Sequence, residues 1–291
     1  MAVEVRYYTD PACPLSWGNE PTLRRLMWEF GEQLEFTWVM GGLARQYGPD
    51  YRDRESGIGF GSDRLADLMG HWLEVAAESG MPIDARLWRQ NPISSTYPAC
   101  QAVEAAAEQG TALAYRYLRR LREGLMVERK KLDHLEALAG EAGPAGLNAD
   151  RFRIDLSSHA ITEAFGAHLD EVRTPPEAAK EQGRVTETEG RERVSFPSAL
   201  FRGEDGSERG VWGRRPYEAY RQAAEAVGAE VTAVRPQALE AVERFGRCAT
   251  RELEELTGTP RPVLEAELWS LARDWKLKPT LAAAGTIWEL P

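Results

Sequence analysis

The chain has 291 residues, 43% of them hydrophobic and 28% charged, a composition that excludes a wholly disordered or fibrous protein. Its 46 acidic and 36 basic side chains give a formal net charge of −10, so nucleic-acid binding is not expected. No run of about 18 apolar residues occurs, and the charged start MAVEVR lacks the apolar core of a signal peptide, so we expect a cytoplasmic protein without membrane contact.

The first forty residues predict a β-α-β unit. Residues 3–8 (VEVRYY) and 34–40 (LEFTWVM) are short and rich in β-branched and aromatic side chains, which is typical of strands. Between them, apolar residues recur at helical spacing from residue 20 until Gly31. A helical crossover of this kind joins parallel strands.

The middle of the chain predicts a loop followed by a helical block. Residues 41–62 are rich in Gly, Tyr and Asp, whereas residues 64–169 are helical in pattern almost throughout. Residues 171–193 contain 11 charged side chains in 23 positions, which predicts a solvated helix extension or a mobile loop.

The last hundred residues predict a hairpin, a linker and a small module. Two short strands flank the turn GEDG, a helix covers 216–227, and 228–236 has the composition of a linker. Three helical stretches and a strand pair then resemble a winged helix over residues 236–291. Acidic residues outnumber basic ones there, so we expect this module to dock on protein rather than DNA, with Trp269, Trp275 and Trp288 filling its core.

Cys13-Pro14-Leu15-Ser16 follows the first strand and starts the first helix. A helix N-terminus stabilises a thiolate and lowers the pKa of the thiol, so Cys13 is a candidate nucleophile, although it could simply pack in the turn. Asp10 would oppose the thiolate unless its side chain points away. The remaining cysteines, Cys100 and Cys248, are expected to pack in the core, and the four histidines have no metal-site spacing.

Phe196-Pro197 precedes the late hairpin, and a cis bond there would hold the preceding backbone in an open, strand-like conformation. The segments DPACPLSWGNEPTLRRL, VMGGL, SSTYPACQAVEAAAEQG and SFPSALF, in this order, resemble the DsbA-like thioredoxin family over residues 3–228. The resemblance is strongest to a cytosolic branch with FrnE-like proteins and ClpXP adaptors that deliver the regulator Spx. It implies an α/β thioredoxin fold over 1–63 and 190–228, with a large helical insertion over 64–189.

The resemblance also implies the site. Cys13 is then the nucleophile, Pro197 the cis-proline and Phe196 the residue that contacts the substrate backbone. Ser16 stands where the family has its resolving cysteine, and its hydroxyl could hydrogen-bond the Cys13 thiolate. We further expect substrate contacts from residues beside the thiol and from the rim of a cleft under the insertion: Pro14, Leu15, Ser95 and Tyr97.

Three functions remain open at this point. The first is a cytosolic thiol-disulfide oxidoreductase of monothiol type, which needs an external thiol for release because Cys13 has no internal partner. The second is a non-catalytic protease adaptor or docking protein that holds a client. The third is an enzyme similar to kappa-class glutathione transferases or hydroxychromene-carboxylate isomerases. We expect no cofactor other than glutathione or another small thiol, a protein substrate or client, and a chain that could pair as a homodimer.

Overall fold

The computed structural model describes residues 2–48, 52–53, 58–59 and 65–291. It begins with the predicted β-α-β unit, which consists of β1 (Val3–Thr9), α1 (Pro14–Gly18), α2 (Glu20–Phe30) and β2 (Leu34–Met40). The two strands are parallel, and Val5 lies opposite Phe36. Pro14 and Pro21 occupy the first turns of the two helices, where a missing N–H leaves no hydrogen bond unmade.

A mainly helical insertion follows and confirms the predicted helical block. Its elements are β3 (Arg52–Asp53), β4 (Ile58–Gly59), α3 (Leu65–Ser79), α4 (Leu87–Gln90), α5 (Tyr97–Ala107), α6 (Thr111–Met126), α7 (Leu135–Gly140), α8 (Ala149–Leu156), α9 (His159–Val172) and α10 (Glu177–Glu181). The predicted loop over 41–62 thus contains two short strands, and the predicted boundary at 63/64 lies outside the described residues. Helix α5 packs against α6, α8 and α9 through small alanine side chains that allow close approach.

The prediction of a solvated or mobile segment over 171–193 is wrong. After α10 the chain forms a hairpin of β5 (Val185–Thr188) and β6 (Arg191–Val194), joined through β3 to β4 in a small sheet. Glu189 and Gly190 have positive φ angles of 54° and 75°, as the commonest tight hairpin turn requires. Arg193 is buried because its guanidinium donates to Thr188 Oγ1 (2.9 Å) and to the Val194 carbonyl (3.0 Å).

The chain then returns to the first sheet. β7 (Ser198–Arg202) pairs antiparallel with β1 and with β8 (Glu208–Val211), which gives the sheet order β2-β1-β7-β8. Helix α11 (Tyr217–Ala226) packs against α2 and β8. The molecule therefore has the predicted α/β fold with a large helical insertion, in which β1 is one of the two inner strands and leads to the Cys13 turn.

Residues 237–291 form a separate small layer, called here the C-terminal module. It contains α12 (Ala238–Phe245), β9 (Cys248–Ala249), α13 (Thr250–Thr257), α14 (Arg261–Arg273), β10 (Lys278–Ala282) and β11 (Gly285–Glu289). Its three strands form an antiparallel sheet in the order β10-β11-β9. The elements follow the predicted order, and the identity of the module as a winged helix stays a prediction.

The three tryptophans of the C-terminal module do not share one environment, so their prediction is only partly right. Trp288 is buried, but Trp269 is 49% exposed and Trp275 is 84% exposed. Leu264 and Leu268 fill the inner face of α14 instead. Trp269 packs edge-on against Trp288 with ring centroids 5.1 Å apart, from the outer side.

Buried ion pairs hold the C-terminal module on α2 and α6. Arg119 donates from both terminal nitrogens to the two oxygens of Glu252, each at 2.9 Å, and Arg24 Nε lies 3.2 Å from the same carboxylate. Arg24 also donates to the Arg247 carbonyl at 2.8 Å. Since these charges are withdrawn from water, the pairs fix the position of the module.

Within the described ranges, no helix combines the length and apolar character needed to cross a membrane.

Candidate functional site

Cys13 occupies the N-cap position of α1, directly after the turn that ends β1. The Cys13 amide donates to the Asp10 carbonyl at 3.2 Å, and the Cys13 carbonyl accepts from Trp17 N at 3.1 Å, so the backbone is held on both sides. The side chain is 5% exposed. The sequence therefore places this thiol at a helix start, as predicted, but the fold closes it from solvent.

The predicted cis peptide bond between Phe196 and Pro197 is present. Phe196 shares a buried apolar cluster with Cys13, and its ring lies against Gly41 at the end of β2. A Cβ atom on Gly41 would come within 1.9 Å of Phe196 Cζ, so only glycine fits there. The VMGGL segment thus allows the phenyl ring to pack beside the thiol.

The hairpin and the end of the insertion cover the thiol. The apolar cluster around Cys13 and Phe196 is completed by residues from β1, β2, α9, α10, β5, β6 and the end of β8, namely Tyr8, Val39, Val172, Ala179, Val185, Val194 and Trp212. Several of these lie in or beside the segment predicted to be solvated. The covering residues of the insertion region lie after residue 171, so a cap formed by the helices of 64–169 stays a prediction. We call α10 with β5 and β6 the cover.

Asp10 is fully buried and its carboxylate accepts four hydrogen bonds. The donors are the Ala12 amide (2.8 Å), the Leu43 amide (2.7 Å), the Thr96 hydroxyl (2.8 Å) and the Cys100 thiol (3.3 Å). Burial raises the pKa of Asp10, and these hydrogen bonds oppose the rise. The carboxylate therefore joins the Cys13 turn to the loop after β2 and to the start of α5.

The contact between Thr96 and Asp10 was not predicted from the sequence. Besides its bond to Asp10, the Thr96 hydroxyl accepts from Ala44 N at 3.2 Å, and Thr96 N donates to the Ala44 carbonyl at 2.9 Å. It stands between the predicted rim residues Ser95 and Tyr97, in the SSTYP segment before α5. A hydroxyl beside a predicted site, in a segment that starts a helix, was the available signal.

Ser95 and Tyr97 make contacts that hold the local loops together. The Ser95 hydroxyl donates to the Ala44 carbonyl at 3.3 Å and accepts from Tyr97 N at 3.1 Å. The Tyr97 hydroxyl accepts from Arg173 at 2.8 Å, and its ring packs edge-on against Phe165. Their connection to the Cys13 turn runs through Thr96 and Asp10, and their role in substrate binding stays a prediction.

A cavity of about 700 Å³ opens beside the thiol turn. Leu15 and Phe196 form its apolar wall, and Arg184, Arg214 and Arg215 are among the cations that line it. Glu218 and Glu255 add opposite charge, so the cavity is polar and mixed in sign. Of the predicted substrate-binding residues, it brings together Leu15 and Phe196.

The Ser16 hydroxyl does not make the predicted hydrogen bond to Cys13. It is buried, and in the part of the chain that the structure describes it has no hydrogen-bond partner. The α1 backbone directs this side chain inward, where it packs without a polar contact. A catalytic role for Ser16 stays a prediction.

The other two cysteines are buried, as predicted. Burial raises the pKa of Cys100 well above 9.0, with the nearby Asp10 acting in the same direction. Burial also raises the pKa of Cys248 to about 12, although Arg24 Nη1 lies 3.0 Å from its sulfur. Neither thiol is suited to act as a nucleophile at neutral pH. Among the described residues, His, Cys, Asp and Glu form no group of three or more that could hold a metal ion.

A sequence model described as thioredoxin matches residues 7–172 of the chain. The ClpXP adapter protein SpxH of Halalkalibacterium halodurans is 30% identical over 163 residues, which cover 56% of this chain and 52% of that protein. SpxH of Shouchella clausii is 26% identical over 293 residues, covering 99% of this chain and 88% of that protein. The first of these matches thus spans about half the length of the relative, and the second spans most of it.

Among solved structures, the cytosolic disulfide reductase DsbM from Pseudomonas aeruginosa is similar, with a TM-score of 0.52 and 20% sequence identity. The superposition covers 72% of this chain and 88% of DsbM. At this level of identity the likeness shows the fold.

Proposed function

The chain belongs to the thioredoxin family, in the DsbA-like group that has Spx adaptors among its relatives, and on this premise we propose that it is an adaptor that holds a client protein for the protease ClpXP. The observation that carries the proposal is the burial of the Cys13 thiol beneath the cover, in a chain that has Ser16 in place of a second cysteine.

In thiol-disulfide exchange, the sulfur of the nucleophile must reach the disulfide and approach it along the S–S bond. With 5% of Cys13 exposed, a protein disulfide reaches the sulfur only if α10 or the β5–β6 hairpin moves. An adaptor has no such requirement, because it works through its surface. The DsbA-like fold then serves as a rigid scaffold, and the ion pair between Arg119 and Glu252 holds the C-terminal module in place against it.

The names of the relatives indicate which partners to propose. They are named as ClpXP adapters, so we propose that the chain binds an Spx-type regulator and presents it to ClpXP in the cytoplasm. An adaptor binds its client without altering it covalently. The proposal therefore keeps the protein partner predicted from the sequence and does not require thiol-disulfide exchange at Cys13.

A degradation assay tests this proposal. Purified ClpXP is supplied with an Spx-type regulator, and the loss of the regulator is followed with and without the full-length chain. We expect the chain to accelerate degradation about tenfold or more at micromolar concentration, as a client affinity in the micromolar range would allow. An unchanged degradation rate would overturn the adaptor proposal.

Monothiol exchange at Cys13 is the second candidate, and the cavity beside Leu15 and Phe196 favours it. The Cys13 thiolate would attack one sulfur of a disulfide, form a mixed disulfide and release the other half as a thiolate, and an external thiol would then restore Cys13. Arg184, Arg214 and Arg215 could bind the carboxylates of glutathione, the small thiol expected from the sequence. Intact-mass analysis after incubation with glutathione disulfide tests this, with Cys13→Ser as control: one added glutathionyl group supports exchange, and an unchanged mass rejects it.

A further inference from the structure

A groove runs between the edge strand β2, the start of α6 and the C-terminal module, away from Cys13. It consists of two adjoining cavities of about 470 and 370 Å³. Both are lined by Tyr115 and Arg116 of α6 and by Arg244 and Phe245 at the end of α12, so these four residues mark where the cavities meet. The C-terminal module therefore supplies one wall of the groove.

Among the described residues, no strand pairs with the outer edge of β2. β2 is the outermost strand of its sheet. Just after it, Gly41 N donates to the Thr9 carbonyl of β1 at 2.7 Å. Because the direction of the peptide groups alternates along a strand, those of residues 35, 37 and 39 also face β1. The peptide groups of Phe36 and Trp38 accordingly face away from the sheet. Only at Met40 does a side chain of the described residues, His168, receive an amide of this edge, at 3.4 Å. An unpaired strand edge is a template for an added strand.

Aromatic rings form the floor of the groove beside this edge. Phe36 and Trp38 stack with centroids 5.0 Å apart and an interplanar angle of 4°. Tyr115 stacks on the other side of Trp38 at 5.1 Å, and the Trp38 indole is fixed by a 3.3 Å bond to the Thr111 carbonyl. Phe36 and Tyr115 are partly exposed, so the stack offers a flat apolar shelf with fixed geometry.

The charges at the groove are separated. Arg116 and Arg244 are exposed, and over the described ranges neither has a carboxylate within 4.0 Å, whereas the neighbouring Arg119, Arg120 and Arg247 all do. Glu32 and Glu35 line the other end of the larger cavity. Arg116 and Arg244 are therefore available to pair with an anionic group of another molecule, in a chain that is acidic as a whole.

We propose that this groove binds an extended segment of a client protein, which pairs with the open edge of β2, lays apolar side chains on the Phe36–Trp38–Tyr115 shelf and places acidic side chains against Arg116 and Arg244. The inference rests on the proposed function in taking the partner to be a client protein. It gives the C-terminal module a role in client binding.

A random peptide library displayed on phage and selected on the immobilised full-length chain tests the groove directly. We expect peptides with alternating apolar residues followed by Asp or Glu. For a selected peptide, Arg116→Gln with Arg244→Gln should weaken binding about fivefold or more, because both charge contacts with the acidic side chains are lost. Phe36→Ala should weaken it similarly, while Arg209→Gln, an exposed arginine on β8, should leave it unchanged.

N-methylation of the peptide separates strand pairing from simple contact. Methyl groups on alternate amides should weaken binding about fivefold or more at one parity and leave it unchanged at the other, since only one set of amides donates hydrogen bonds to the edge of β2. Equal effects at both parities, selected peptides insensitive to the groove variants, or no selected peptide would overturn the inference. Self-association lost in Phe36→Ala would also overturn it, by assigning the groove to a second copy.

The two proposals fail separately. Peptide binding in the groove without accelerated degradation contradicts the adaptor function and leaves the groove assignment in place. Accelerated degradation that persists at full rate in the Arg116→Gln/Arg244→Gln variant retains the adaptor function and places the client elsewhere.

Discussion

The residues around Cys13 show how this fold can hold a thiol while keeping it buried from solvent. Asp10 accepts one hydrogen bond from the Ala12 amide in the Cys13 turn and three from Leu43, Thr96 and Cys100, in the loop after β2 and at α5. Gly41 leaves room for the Phe196 ring, and the cover closes over both. Access to the thiol is therefore controlled by the packing of apolar side chains rather than by charge.

Alkylation of the native chain should report this packing. At about pH 8, iodoacetamide should modify Cys13 slowly and before Cys100 or Cys248, because the raised pKa values of the latter two keep them as buried thiols.

Val194→Ala loosens the cover and should speed the modification of Cys13 about tenfold, by making local opening easier. Peptide mass mapping over time measures each site. Val231→Ala, an exposed valine outside the cover, is the control, and equal rates in the two variants would contradict the role of the cover.

Glu128 should give the free energy of unfolding a pH dependence of known sign. Burial raises its pKa, but hydrogen bonds from Arg120 and Lys130 lower it to about 2. A folded-state pKa below the ordinary 4.5 stabilises the protein above about pH 4.5, and this stabilisation is lost as the pH falls toward 2.

Glu128→Gln should therefore lower the free energy of unfolding at pH 7 by about 1 kcal/mol, since solvent screens part of the interaction. The difference from the parent chain should shrink as the pH is lowered toward about 3. Urea titrations at several pH values measure it, with Glu230→Gln as an exposed control. A difference that stays constant with pH would contradict this assignment.

At the scale of elements, the C-terminal module depends on one buried carboxylate. Glu252 starts α13, accepts the Ala249 amide at 2.6 Å and neutralises both Arg119 and Arg24. Removing it leaves two buried guanidinium groups with less negative charge than they need. Such an uncompensated charge costs several kcal/mol.

Glu252→Gln should lower the free energy of unfolding by about 3–5 kcal/mol, measured by urea titration. Glu267→Gln is the matched control, since Glu267 lies exposed on α14 of the same module. Equal stability of the two variants would show that the module is held by its apolar contacts alone.

The elements also show where sequence patterns were sufficient. Helical spacing predicted α6, and short runs of β-branched and aromatic residues predicted β1, β2 and the late hairpin, because these patterns favour the element locally. The β5–β6 hairpin was missed because its exposed positions carry charge, while its inward side chains, such as Val185 and Val194, are few. Arg193 is buried against Thr188 and Phe196, which are near it in sequence, but a hydropathy pattern counts an arginine as exposed and so does not predict this burial.

The site was predictable to a similar extent. The position of Cys13 after β1 and the cis Phe196–Pro197 bond follow from local order and from the resemblance to a family. The burial of Cys13 depends on contacts between segments that are separate in the sequence. The exposure of Trp269 and Trp275 likewise depends on tertiary contacts of the C-terminal module. Such tertiary contacts overrode the expectation that large aromatic side chains fill a small core.

For the whole molecule, the charge distribution argues against nucleic acid as a partner. The net charge is −10, and Arg261 at the start of α14 has Glu254 and Glu265 within 3.7 and 4.0 Å. We expect no binding to mixed-sequence duplex DNA tighter than about 10⁻⁶ M at low salt. Fluorescence anisotropy measures this, and tight binding that weakens steeply with added salt would contradict the assignment of the C-terminal module to protein docking.

On the proposed function, the molecule works as a scaffold and its thiol is dispensable. The degradation assay with the Cys13→Ser variant tests this, because the substitution removes the sulfur while keeping a small side chain at the start of α1. We expect Cys13→Ser to accelerate degradation of the client by ClpXP as much as the parent chain does, within about a factor of two, equivalent to less than ~0.5 kcal/mol. A fall of the degradation rate to that measured without the chain would contradict the claim and identify the Cys13 thiol as essential to the function.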